Sequence, residues 1–314
     1  MLHYKAGRGV QDKAKVMAGL SAAAVPIETQ GGAQVQGSET PVAAVSGRAD
    51  IRFVDQGDGT RLQTLYQHNP MRILFPQAAV GDLPLAAIVN TAGGFVGGDQ
   101  VAIAAHVGAR CRALVAQQAA EKIYRSTGAV TTIDVNLSAA PGSWLEWLPQ
   151  ETIVFDQACL RRRTCIDVTG NGQVLAGEIL VFGRAAMAEV FRHGLLREVW
   201  EISRDKRLVW LDALHLEGAM TALMASAAGF AGAGATATAV YVGEDADGLL
   251  EKVRDFLPAG DHVRSAATVV NGILVIRWLA PRAQDLRREF GVFWARFRAE
   301  VADLPGRLPR LWHI

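Results

Sequence analysis

The sequence predicts a mainly β protein with two α-helices near its C-terminus. Three observations carry that expectation. From Arg48 onward, short runs alternate apolar and polar residues with the period of two that turns one strand face toward a core. Clusters of Gly, Pro, Asn and Asp punctuate those runs where turns belong. Helical stripes appear only late, after Asp245. The count comes to roughly fifteen or more short strands, and no regular period of about 20 to 50 residues marks a repeat array.

The elements follow in order. Residues 1 to 47 read as a flexible leader, because the stretch from Gly31 to Gly47 is Gly, Gln, Ser, Thr and Ala without periodicity. Residues 48 to 314 read as a single β-rich domain, long enough to bury a sizeable core. Ala49–Val54 and Thr60–Tyr66 form a hairpin around Gly57-Asp58-Gly59. His68-Asn69-Pro70 breaks it, and Met71–Phe75 resumes a strand. Further strands are expected at Leu85–Val89, Val101–Val107, Ala113–Gln117, Ala129–Leu137, Ile153–Phe155, Thr164–Val168 and Gln173–Phe182. Leu195–Ile202 and Arg207–Leu216 pair across Arg204-Asp205-Lys206, and Ala235–Val242 and Gly272–Leu279 complete the set. Thr221–Ala228 reads as a short Ala-rich helix. Asp245–Leu257 forms a helix with Asp247 as its candidate cap. Pro281 opens the last helix, whose apolar stripe is Leu286, Phe290, Phe293, Phe297 and Val301, with arginines mostly on the other face. The tail around Leu308–Trp312 reads as docked.

Composition excludes several function classes. A net charge of +1 gives no reason for a nucleic-acid or anionic-membrane partner, and Arg161-Arg162-Arg163 reads as a solvated strand or turn. Three scattered cysteines make no disulfide framework and suit a reducing compartment, hence the cytoplasm. No apolar run approaches the ~20 residues that span a bilayer. Lys13 and Lys15 before Val16–Ile27 faintly resemble an export signal, but Asp12 and a weak apolar run argue against it.

The stretch Asn90–Gln100 stands out. Gly93, Gly94, Gly97 and Gly98 fall within six residues, and Asp99 follows at once. It reads either as a loop presenting Asp99 or its backbone to a ligand, or as a tight double turn between strands. A phosphate loop is excluded, because a strand and not a helix follows and no Lys-Ser or Lys-Thr pair is present. Elsewhere there is no G-x-S-x-G, H-E-x-x-H or C-x-x-C, and the seven histidines are isolated. What remains is a scatter of acids. Glu146 lies between Trp144 and Trp147, which read as core or interface anchors. Glu178 and Asp212 sit inside apolar strands, where a carboxylate must be paired, metal-bound, water-exposed or protonated. Glu121, Lys122, Tyr124 and Arg125 read as an interaction surface or as a solvated edge.

Five segments, agreeing in order and spacing, resemble one family. They are Asn90–Asp99, Ala119–Ser126, Leu145–Glu151, Leu175–Arg184 and Pro309–Trp312, and the family is the urease accessory protein UreD, also called UreH. The likeness runs from about residue 48 to the C-terminus and leaves out the leader. The resemblance implies an elongated stack of strands in β-helix-like layers with two helices. It implies a non-enzymatic maturation factor that binds apo-urease with a UreF-like scaffold and a UreG-like GTPase. It also implies that Ni²⁺ passes transiently through an internal wet channel, with no tightly bound cofactor. Asp99, Glu178 and Asp212 match acidic positions linked with that route. Glu146 lies in a shared motif, and His68 is added as a further candidate ligand. Glu121, Lys122, Tyr124, Arg125 and Trp147 are the candidate partner contacts. The rival readings are a β-rich interaction scaffold without metal traffic, and an enzyme using the glycine loop and Asp99.

Overall fold

Ser46–Asp55 (β1) and Thr60–His68 (β2) form the expected antiparallel hairpin, and everything after it winds away from that start. The computed structural model describes residues 44–257, 260 and 262–313. The expected leader, residues 1 to 47, therefore lies almost wholly outside the described residues.

The strands that follow are Met71–Leu74 (β3), Leu85–Asn90 (β4), Gln100–Val107 (β5), Arg112–Gln117 (β6), Glu121–Ile123 (β7) and Thr131–Ala139 (β8). Next come Trp144–Leu148 (β9), Thr152–Val154 (β10), Cys159–Val168 (β11), Gln173–Phe182 (β12), His193–Arg204 (β13) and Arg207–Ala219 (β14). A helix at Met220–Ala225 (α1) precedes Ala235–Val242 (β15). Leu250–Arg254 (α2), Arg264–Val270 (β16), Ile273–Ala280 (β17) and Ala283–Ala302 (α3) follow, and a 3-10 turn at Arg310–His313 lies in the tail.

These elements stack as a β-solenoid. One sheet has the order β14-β13-β11-β8-β5-β1-β2, and the second runs β16-β17-β15-β12-β9-β6-β4-β3. Within the coils the neighbours are parallel: β5, β8, β11 and β13 in the first sheet, and β4, β6, β9 and β12 in the second. Each coil crosses a short third face on its way back to the first sheet, where Phe95 bridges Ile123 and β7 pairs with β10. Antiparallel strands continue the sheets beyond the coils.

The coil length corrects the absence of a repeat in the sequence. Leu85 stands beside Leu114, Leu114 beside Glu146 and Glu146 beside Leu175, a backbone period of about 30 residues. The register repeats while the side chains do not, because parallel pairing uses only main-chain groups.

Two cores result. The first lies between the sheets and takes Ile51, Val135, Leu160, Ala176 and Trp200. The second lies between the outer face of the second sheet and the helices, and takes Leu175, Ile179, Trp278, Phe290 and Trp294. So β12 is buried on both faces, with even-numbered residues facing the other sheet and odd-numbered ones facing α3. Gly177 makes this possible, since a Cβ there would meet Phe290 Cζ at 2.6 Å.

Several expectations are adjusted. The strand after Pro70 does not resume β2 but crosses to the second sheet and pairs with β4. The helix at 220 ends at Ala225. The expected helix over Asp245–Leu257 is a 3-10 turn, Ala246–Leu249, followed by the single turn of α2. Asp247 sits in the first turn and makes no side-chain cap bond. The last helix begins at Ala283, two residues past Pro281. Arg298 leaves the expected polar face and is fully buried. The tail docks as expected: Arg287 stacks on Trp312 at 4.4 Å and bonds its carbonyl oxygen.

Candidate functional site

Strand alternation separates the triple-arginine run. Arg161 and Arg163 point outward from β11, while Arg162 shares the inner face with Leu160 and Ile166 and is only 8% exposed. This overturns the reading of that run as wholly solvated. Parallel pairing sets Glu198 of β13 directly beside Arg162. Glu178 of β12 projects from the opposite sheet toward the same point.

The geometry is tight. Arg162 Nε donates to Glu198 Oε2 at 2.8 Å, and Nη1 donates to Thr152 Oγ1 at 2.8 Å. Nη2 lies 2.7 Å from Glu178 Oε2 but at an angle that makes no hydrogen bond. Glu198 Oε1 is likewise buried without a partner among the described residues. Glu121 enters from β7, paired in register with Thr152, and accepts from Asn90 Nδ2 at 2.9 Å. Arg162, Glu178, Glu121 and Thr152 line a cavity of ≈ 20 Å³ between the sheets, together with Gln117 and Trp147. That is room for about one water molecule with several polar partners.

Burial dominates the electrostatics. It pushes Glu198 up to about 8, the Arg162 charge opposing and the neighbouring Glu178 adding to the rise. Burial also raises Glu121 to about 7, against its hydrogen bond from Asn90. Burial works against the Arg162 charge, but Glu178 and Glu198 outweigh it and hold the guanidinium above its ordinary value.

A polar row leads outward from this centre. Glu178 pairs in register with Thr238 of β15, and Thr238 pairs with Arg277 of β17, all on the inner face. Arg277 then meets Asp212 of β14 across the gap between sheets at 2.7 Å, with the two side chains 50% and 30% exposed. Glu178 and Asp212 thus stand at opposite ends of one in-register row of polar residues, enclosed at Glu178 and partly open at Asp212.

The other sequence candidates lie elsewhere. Asp99 is buried, but Oδ1 accepts from Val45 N–H at 2.8 Å and Oδ2 from Val96 N–H at 2.9 Å. It pins the turn rather than facing the cavity. Glu146 is on the helix side of the second sheet, bonded to Trp144, Trp294 and Arg298. His68 is exposed and contacts the Ser46 carbonyl. Glu121 and Trp147, expected among partner contacts, are buried, whereas Lys122 and Arg125 are exposed and Tyr124 is half-buried.

The glycine loop is a shaped turn. Gly93, Gly94 and Gly98 all have positive φ. A Cβ on Gly94 would meet Tyr124 at 2.5 Å, and one on Gly97 would meet the Ala129 carbonyl oxygen at 2.4 Å. The loop therefore packs against the β7 segment, whose Glu121 lines the cavity.

Sequence reasoning missed Arg162 and Glu198. Their signal was present, since each alternates with apolar residues of an inward strand face: Leu160 and Ile166, and Leu196, Trp200 and Ile202. Among the described residues, no group of three or more His, Cys, Asp and Glu side chains is arranged to hold a metal ion. No described helix is long and apolar enough to cross a membrane.

Comparison with known proteins adds the lineage. A family model described as UreD urease accessory protein matches residues 45–313. The urease accessory protein UreD of Magnetococcus marinus is 42% identical, over 94% of this chain and 99% of its own length. That share exceeds what residues 45–313 supply, so the match reaches into the N-terminal segment. UreD of Xanthobacter autotrophicus is 41% identical over 85% of this chain and 89% of its own length. UreD of a Methylobacterium species is 39% identical over 82% and 90%. The chain belongs to the UreD family of urease accessory proteins.

Proposed function

We propose that this protein is a non-enzymatic urease maturation factor that conducts Ni²⁺ along the polar row between its two sheets. Membership of the UreD family supports the role in urease maturation. The observations that support the conducting role are the water-sized cavity beside Glu178 and the in-register row Glu178, Thr238 and Arg277, which ends on the partly exposed Asp212. Nickel accepts oxygen ligands, and a conduit must hold the ion weakly enough to release it. Two carboxylates, a hydroxyl and water meet that demand better than a closed cage of Cys and His.

The partners in this reading are apo-urease, a UreF-like scaffold and a UreG-like GTPase that brings the nickel, all in the cytoplasm. Ni²⁺ is cargo and not a resident cofactor. Neither nucleic acid nor membrane has a part. The test is co-expression with the urease structural genes and the other accessory genes, with and without this chain. Omission should abolish co-purification of the assembly and leave urease without nickel. Urease loaded equally well without the chain would refute the reading.

A further inference from the structure

We propose that Arg162 is a tethered counter-cation that occupies the transit position and is displaced when a divalent cation passes. The idea rests on the transit reading above and identifies how that path is kept closed.

Three oxygen acceptors from three strands converge on one guanidinium. They are Glu198 Oε2 of β13, Thr152 Oγ1 of β10 and Glu178 Oε2 of β12, at 2.8, 2.8 and 2.7 Å. Two carboxylates and a hydroxyl around one point form an oxygen donor set for a divalent ion once the guanidinium moves aside. The place a passing ion would take is already filled by a positive charge attached to β11.

The details argue against a pair built only for stability. Arg162 lines the cavity, and its buried Nη2 stands 2.7 Å from Glu178 Oε2 without hydrogen-bond geometry. Glu198 Oε1 is also unsatisfied. A purely structural buried ion pair normally satisfies every donor and acceptor, because each orphan is costly. Here the pair borders a space of ≈ 20 Å³, room for one water molecule that can satisfy a group the guanidinium leaves as it shifts. Its planar fork can exchange one acceptor for another while keeping a third.

Charge fixes the consequence. The Glu178 carboxylate and the Glu198 carboxyl, in a low-dielectric interior and without a counter-cation, would trap a divalent ion, Glu198 giving up its proton as the ion binds. With Arg162 in place the ion is repelled as it arrives and is replaced as it leaves. Arg162 therefore lowers retention and favours release. It acts through Glu178 and Glu198 as a positioning residue and is not itself a ligand.

The experiment uses the full-length chain co-expressed with the urease structural and accessory proteins, with Ni²⁺ as the probe. The variants are Arg162→Gln, Arg162→Lys, and the double variant Arg162→Gln/Glu198→Gln, which replaces both members of the 2.8 Å pair and so leaves neither without a partner of its own kind. Nickel affinity of the purified assembly and urease activation in limiting nickel are both read. Arg162→Gln should bind Ni²⁺ about tenfold more tightly or better and pass on less of it, whereas the double variant, which also loses one of the two carboxyl groups, should bind Ni²⁺ no more tightly than the wild type. Arg162→Lys, which keeps the positive charge, should restore release. Unchanged affinity in Arg162→Gln, or its failure to assemble, overturns the proposal, as does Arg162→Lys behaving like Arg162→Gln. Failure of both glutamine variants to assemble makes the ion pair merely structural and also overturns it. Glu178→Gln separates the two levels. If it activates urease normally, the transit reading itself fails. If it impairs activation while Arg162→Gln does not tighten binding, only the role of Arg162 fails.

Discussion

Trp294 of α3 donates its indole N–H to the carboxylate of Glu146 in β9 at 2.9 Å, tying together segments 148 residues apart. Trp144 Nε1 and Arg298 Nε complete the set at 3.0 and 3.1 Å, and Arg298 reaches on to Asp82 at 2.6 Å. Glu146 is thus the fastener between helix and sheet. Glu146→Ala leaves a buried arginine short of a partner and should cost about 3–5 kcal/mol in denaturant unfolding. A loss under about 1 kcal/mol would show the network to be dispensable.

Asp99 should also fail through structure. Removing its carboxylate strands the amides of Val45 and Val96. Asp99→Ala is expected to lower stability by about 1–3 kcal/mol for the amides left unpaired. Asp99→Asn keeps one acceptor and should lose less. If the Asn variant instead folds with full stability yet blocks nickel transfer, Asp99 belongs to the path after all.

The buried acids give stability a definite pH slope. Glu121 and Glu198 are raised from 4.5 to about 7 and about 8, burial being the main cause in both. Between those limits the folded chain holds protons that the unfolded chain has released. Stability from these groups is therefore present at low pH and is lost as pH rises through about 7 to 8. The slope is at most about 1.4 kcal/mol per pH unit for each group. Denaturant titrations at pH 6 and pH 8 should differ in that direction, and Glu198→Gln should flatten the difference. No slope between pH 6 and pH 8 would mean that both carboxyls stay ionised in the folded chain.

Asp212 differs from the buried acids. Its pair with Arg277 is partly open to solvent, so Asp212→Asn should change stability by under about 1 kcal/mol. Any loss of urease activation by this variant then reports on the path and not on folding. A large drop in unfolding free energy would place Asp212 among the structural acids instead.

Much of the fold was legible because period-two alternation is local. The β1–β2 hairpin, β5, β12 and the β13–β14 pair lie where the pattern put them. The solenoid coil was not legible from periodicity, since residues as unlike as Leu114 and Glu146 occupy equivalent places. At the site, Glu178 stood out as an acid in an apolar strand and does enter the cavity. Glu146 showed the same sequence signal but occupies the opposite face of its sheet, a distinction that only the second layer of helices decides. Arg162 was hidden by its neighbours, for a triple-arginine run looks solvated unless the strand's inward register is applied to it.

The most direct measurement is nickel-limited urease activation by the Glu178→Gln variant, with co-purification of the assembly as its control. An intact assembly that loads urease with several-fold less nickel is the result expected if the ion passes between the sheets. An intact assembly that loads urease as well as the wild type would contradict the account.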